Sequence, residues 1–230
     1  MALSGEEIQR KILHLIFGIV IPGGIFYIPG WVSNTSFGPA FLPERMYPII
    51  ILALFQVFFA VVEIGRFRIP WLNRLFNSLF GYMLRKEETS NKATGATWIV
   101  AASLICSIVF YHRSHIAAMV LALFIWGDAV AALVGISIGR IKIGKKSLEG
   151  SIACFVCCMA MFVALFPNAP GLLDAWNGTI PVVLMIVGSL LITVQELFPI
   201  KLGSFEVNDN LSVPVITGLV LWGLYPVVSG

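Results

Sequence analysis

Asp128 stands twelve residues ahead of Arg140 in a stretch that carries no other charge. On an ideal helix that spacing is about 18 Å, which places the carboxylate well inside hydrocarbon if the stretch spans a bilayer. An ionised side chain there costs at least about 2.5 kcal/mol on insertion scales, so the default reading is a functional, paired or cavity-facing group. Gly127, Ala131, Gly135 and Gly139 recur every four residues alongside it. Such a stripe lets a second backbone or a flat ligand approach closely.

The stripe runs into GRIKIGKKSLEGS, Gly139 to Ser151, which has the G-x-x-x-x-G-K spacing of a phosphate-binding P-loop but Lys146 where that motif needs Ser or Thr. A P-loop also needs a strand before it, and here a long apolar segment precedes. The same physics is nevertheless available. Lys145 and Lys146 supply two ammonium groups, Ser147 is placed to cap the helix that follows, and free N–H groups at a helix start suit phosphate. Glu149 repels an anion unless a divalent ion lies between them, and Mg²⁺ characteristically combines one or two carboxylates with substrate phosphates. Asp128, Glu149 and Asp209 are therefore the candidate metal ligands. His14, Glu63, Arg66, Glu196 and Asn210 are further polar candidates, all at the same ends of their segments.

The elements that must position these groups are membrane helices. The 230 residues are 58% hydrophobic and 12% charged, with a mean hydropathy of +0.92, far above a soluble domain. Seven stretches, near 12–29, 46–64, 96–112, 116–139, 148–166, 179–197 and 211–228, approach the roughly 20 residues that cross a bilayer. With the N-terminus inside, thirteen of the fifteen Lys and Arg fall in cytoplasmic segments and only Arg45 and Arg113 outside. This asymmetry sets the orientation. The expected fold is an all-α polytopic bundle, one integral membrane domain over 1–230, with the polar candidates facing the cytoplasm and the C-terminus outside.

Between the second and third spans, residues 67–86 carry Leu72, Leu75, Leu79, Phe80 and Met83 at helical spacing, an in-plane amphipathic helix. The first apolar segment lacks a small-residue cleavage site and reads as a retained anchor. Cys154, Cys157 and Cys158 read as small packing residues within hydrocarbon. The basic residues are not interleaved with exposed aromatics, so nucleic acid is not an expected partner. No internal sequence repeat is apparent.

GDAVAALVGISIGRIKIGKKSLEGS resembles the signature of the membrane kinases comprising dolichol kinase, CTP-dependent diacylglycerol kinase and phytol kinase. RKILHLIFG at 10–18, EIGR at 63–66, LRKEETSNKATGATW at 84–98, ELFP at 196–199 and NDNLSVPVITG at 208–218 are similar to further family segments, in family order. The resemblance implies transfer of the γ-phosphoryl group of CTP, with a divalent metal such as Mg²⁺, to the hydroxyl of a membrane lipid alcohol. It implies nucleotide and catalytic roles for Asp128, Lys145, Lys146, Glu149 and Gly150, and matches Asp209 and Asn210 to the end of a D-D-N motif in which Asn208 replaces the first Asp. Gly127, Gly135, Gly139 and Ser147 complete the expected nucleotide site, and Asp128, Asp209 and Lys146 the expected catalytic set. A straight fourth span would hold Asp128 far from an aqueous nucleotide, which predicts a break near Gly127 or a cavity reaching it. Phosphatidate cytidylyltransferase and an ion-coupled transporter are the alternative readings.

Overall fold

Among the described residues of the computed structural model (5–35, 39, 41–84, 88–89, 92–144, 146–202 and 205–228), every expected apolar segment is helical. The helices are α1 (Gly5–Thr35), α2 (Met46–Arg68), α4 (Gly95–Val109), α5 (Ser114–Ser137), α6 (Leu148–Ala160), α7 (Val182–Leu197) and α8 (Asp209–Val228), with the short α3 (Pro70–Phe80) between α2 and α4. Five of them, α6 counted with its continuation to Asn168, are long and apolar enough to cross a membrane. The other two, α4 and α7, have 15 and 16 residues. Both fall short of the expected 96–112 and 179–197 for local reasons: the chain turns at Phe110–His112, and Pro181 sits as the N-cap of α7. Proline suits a helix start, where its missing N–H has no intrahelical partner to lose.

Helix α5 is the central post and packs against α1, α4, α6, α7 and α8. Every residue from Ile116 to Ile125 is buried, as expected for a helix that is apolar all round. By contrast α1 and α2 leave most of their apolar surface outward, with 17% of the membrane window buried against 56% for α5. α3 has no buried residue and exposes Trp71, Leu75, Leu79 and Phe80, the amphipathic element expected from its pattern, with Pro70 at its first position. α6 continues through a π-helical turn at Met161–Leu165.

Two features differ from the sequence reading. α5 runs unbroken through Gly127, where α6 packs closely: a Cβ on Gly127 would lie 2.9 Å from Cys154 Sγ. The link after α5 is not a plain loop but a two-stranded hairpin, β1 (Lys142–Ile143) and β2 (Lys146–Ser147), paired antiparallel with Lys142 opposite Ser147. Gly144 has φ +60° in its turn, the left-handed conformation that tight hairpins require and glycine adopts freely. A second hairpin, β3 (Lys201–Leu202) with β4 (Phe205–Glu206), links α7 to α8. The chain thus uses helix, hairpin, helix twice without a sequence repeat, and both hairpins hang from the same end of the bundle as the N-terminus of α1.

Candidate active site

That end gathers the charged candidates. Lys11, in the second turn of α1, donates to Asp128 Oδ2 at 2.8 Å, with side chains 3% and 12% exposed. His14, one turn further along α1, donates from Nδ1 to the Arg10 carbonyl (3.0 Å), since that oxygen can only accept. Lys146 and His14 are the other titratable groups acting on Asp128. The carboxylate is therefore paired across to α1 by Lys11, with no break in α5.

Lys146, on β2, is ion-paired with Glu196 at the end of α7, and its Nζ lies 3.8 Å from Asp209 Oδ2 in the first turn of α8. Glu196 is buried, Asp209 one-fifth exposed and Lys146 about one-third exposed. One ammonium thus ties three elements together: the first hairpin, α7 and α8. Glu196 feels both Asp128 and Asp209, so the Lys11 and Lys146 pairs belong to one charged cluster rather than two.

Ser147 caps α6 as its position predicts, accepting from the Gly150 N–H at 3.2 Å. The glycines around it are covered by protein. A Cβ on Gly135 would lie 2.9 Å from Ser147 Oγ, one on Gly139 2.2 Å from the Gly135 carbonyl, and one on Gly150 2.6 Å from the Ala131 carbonyl. With Gly127 against Cys154, these four positions form the close α5 to α6 contact and leave no open face there for a flat ligand. Glu149 is occupied in the same region: its Oε1 accepts the backbone N–H groups of Arg140 (2.9 Å) and Ile141 (3.1 Å). It fastens the entry to the hairpin. Lys145 lies outside the described residues.

Glu63 and Arg66 make a clamp of their own. Arg66, fully buried, donates to Glu63 Oε2 at 2.5 Å and to the carbonyls of Glu88 and Lys92 at 2.6 and 2.8 Å. Glu63 Oε1 accepts from the Thr94 N–H and the Thr97 hydroxyl at 2.8 and 3.1 Å, and so holds the start of α4. Asn210 bridges the same start to α8, donating to the Gly95 carbonyl at 3.3 Å. These three residues fix the shape of the charged end. Lys11 is the candidate that sequence reading passed over, as one of many basic residues ahead of a span; only its contact with Asp128 distinguishes it.

The donor set suits Mg²⁺ bridging to phosphate. Carboxylates from α5, α7 and α8 converge on two lysines, and the second oxygen of Glu196 is buried with no hydrogen-bond partner. Among the described residues no three His, Cys, Asp or Glu could hold a metal by themselves; Mg²⁺ usually takes one or two carboxylates and completes its shell with waters and phosphate oxygens.

No family model matches the chain, and no solved structure matches it. Individual curated proteins do. A CTP-dependent diacylglycerol kinase of Schizosaccharomyces pombe is 28% identical over 94% of this chain and 93% of its own length. A probable chloroplastic phytol kinase of Glycine max is 26% identical over 97% of this chain and 67% of its own, and the phytol kinase of a Synechocystis species 26% over 96% and 81%. Similarity of 26–28% over 94–97% of the chain makes it a homologue of proteins named phytol kinase and CTP-dependent diacylglycerol kinase.

Proposed function

We propose that this protein is a CTP-dependent kinase that transfers the γ-phosphoryl group of CTP to the hydroxyl of a membrane lipid alcohol, a phytol-like alcohol, a polyprenol such as dolichol, or diacylglycerol. The observation that carries it is the meeting of Lys146 with Glu196 and Asp209 beside the Lys11 to Asp128 pair, at one end of a membrane bundle. The charged end faces the cytoplasm in this reading, supported by the thirteen basic residues assigned to that side.

Phosphoryl transfer asks little covalent chemistry of the protein and much positioning and charge neutralisation. Lys146, partly exposed, holds its ammonium against Glu196 and near Asp209, where nucleotide phosphates would compete with the two carboxylates for it. Asp209 and Glu196, with Asp128 behind them, are the carboxylates that would hold Mg²⁺. Bound there, the ion supplies neutralisation of the transferring phosphoryl group and its leaving oxygen. Asp128, the deepest of the three and held by Lys11, orders the side of the site nearest the hydrocarbon. Ser147, Gly150 and Glu149 keep the hairpin that presents Lys146 in register with α5.

The test is purified protein in detergent or vesicles with CTP labelled in the γ-phosphate, against phytol, a polyprenol and diacylglycerol. Labelled lipid phosphate and CDP are expected, and the transfer should vanish on removal of divalent ions. Pyrophosphate with a CDP-lipid would instead indicate nucleotidyl transfer, and neither that reaction nor ion-coupled transport draws support from the named kinase relatives.

A further inference from the structure

A lateral cleft of about 350 Å³ lies between α1, α2 and α4. Its walls run from Leu13 and His14 to Ile28 on α1 and from Phe59 back to Pro48 on the antiparallel α2, while Ala96, Ile99 and Val100 of α4 close only the end beside His14. His14 is the one polar side chain among the described residues that line it. That end is also where Lys11, Asp128 and Arg10 act on the imidazole. The cleft therefore starts at the charged cluster and extends into hydrocarbon.

Its dimensions fit one chain. His14 to Ile28 spans about 21 Å along the helix, more than the roughly 15 Å of one leaflet. A cleft of about 350 Å³ is commensurate with one extended chain of that length. The lip is open to lipid, with Val20 and Phe55 59% and 52% exposed, so a bilayer-dissolved molecule can enter sideways. Gly24 keeps the middle clear: a Cβ there would meet only Ile28 Cδ1, at 3.5 Å.

We propose that this cleft holds the single hydrocarbon tail of the lipid alcohol and that His14, at its head, receives the reacting hydroxyl. The inference rests on the kinase reading above and adds the tail site, the single-tailed class of substrate and the base. With Nδ1–H committed to the Arg10 carbonyl, Nε2 of the neutral ring carries a lone pair. Asp128 is tied to Lys11 through Oδ2. As the alcohol oxygen bonds to the γ-phosphorus of CTP, its O–H bond breaks toward His14 Nε2 and the γ-phosphorus to oxygen bond breaks to release CDP. Phosphate ester, CDP and one proton on His14 balance the step.

The experiment compares geraniol, phytol and diacylglycerol on wild type, Gly24→Phe and His14→Ala, with labelled CTP. Gly24 is ten residues beyond His14, about 15 Å along α1, so a phenyl group there leaves room for geraniol and not for phytol. The proposal expects wild type to prefer phytol over diacylglycerol, and Gly24→Phe to lose phytol phosphorylation at least tenfold while keeping that of geraniol. His14→Ala should lower kcat about 100-fold or more with the KM for CTP unchanged. In wild-type protein, a phytol analogue with a photoreactive group at the tail end should label α2 near Pro48, which holds the test should Gly24→Phe not fold. Phytol phosphorylation indifferent to Gly24→Phe, labelling confined to other helices, or an unchanged kcat in His14→Ala would overturn it while leaving the kinase reading intact. A wild-type protein that phosphorylates none of the three alcohols would sink that reading itself, and this inference with it.

Discussion

Lys11 and Asp128, 117 residues apart in sequence, close to 2.8 Å between α1 and α5 with both side chains nearly buried. Two charges taken out of water are costly one by one and tolerable as a pair. The contact explains how a carboxylate can sit on an unbroken, largely dry helix, and it anchors the start of α1 to the central post of the bundle.

Removing one partner should therefore be worse than removing both. Lys11→Met or Asp128→Asn alone strands a buried charge or an unmatched polar group, at a cost of about 3–5 kcal/mol when a buried pair is broken. The double variant should recover most of that loss, read as melting temperature in detergent, and yet remain without phosphoryl transfer. Full additivity of the two single effects would show that the pair is not coupled.

Lys146 should separate catalysis from folding more cleanly. It is partly exposed, but Glu196 beneath it is buried. Lys146→Gln is expected to lower kcat about 10²–10³-fold, the usual loss for one preorganised electrostatic group. Lys146→Gln with Glu196→Gln should melt higher than Lys146→Gln alone and regain none of the activity. Steady-state rates at varied CTP, together with melting curves, decide this; recovery of kcat in the double variant would reduce Lys146 to a structural counter-ion.

Arg66→Lys tests whether EIGR is part of the chemistry or of the scaffold. The guanidinium spans Glu63 and the carbonyls of Glu88 and Lys92 in one plane, a fork that an ammonium cannot reproduce. Losing charge-assisted hydrogen bonds worth about 1.5–3 kcal/mol each should lower the melting temperature and speed proteolysis between residues 84 and 94. If the clamp is scaffold, the KM for CTP rises modestly and kcat changes less than in Lys146→Gln. An intact proteolysis pattern with kcat abolished would move Arg66 into the reacting site.

The helices were legible because hydrocarbon demands long apolar runs that a sequence cannot hide. The cap at Ser147 and the amphipathic α3 followed from local pattern in the same way. The hairpins did not, since two-residue strands such as Lys142–Ile143 have no period to read. Nor did the partners of the charges. Glu149 reads as a metal ligand by type and neighbourhood, and its acceptance of two backbone N–H groups has no local signature. Side-chain type at a rim is a local property; who faces whom across 117 residues is not.

The glycine stripe gives the sharpest contrast within one short segment. At Gly139 a methyl group would sit 2.2 Å from the Gly135 carbonyl and 2.6 Å from Ser147 Oγ, and the carbonyl belongs to helix backbone that cannot turn aside. Overpacking of this kind costs about 1–3 kcal/mol, occasionally more. Gly144 meets nothing within 4 Å, but its φ of +60° charges an L-residue about 1–2 kcal/mol. Gly139→Ala and Gly144→Ala should therefore differ less in stability than in activity. The first pushes the α6 cap, and with it the strand that carries Lys146, away from α5; the second strains an open turn. Melting curves beside labelled-CTP assays test this. Equal loss of activity in both variants would mean that the hairpin tip, rather than its seat on α5, sets the position of Lys146.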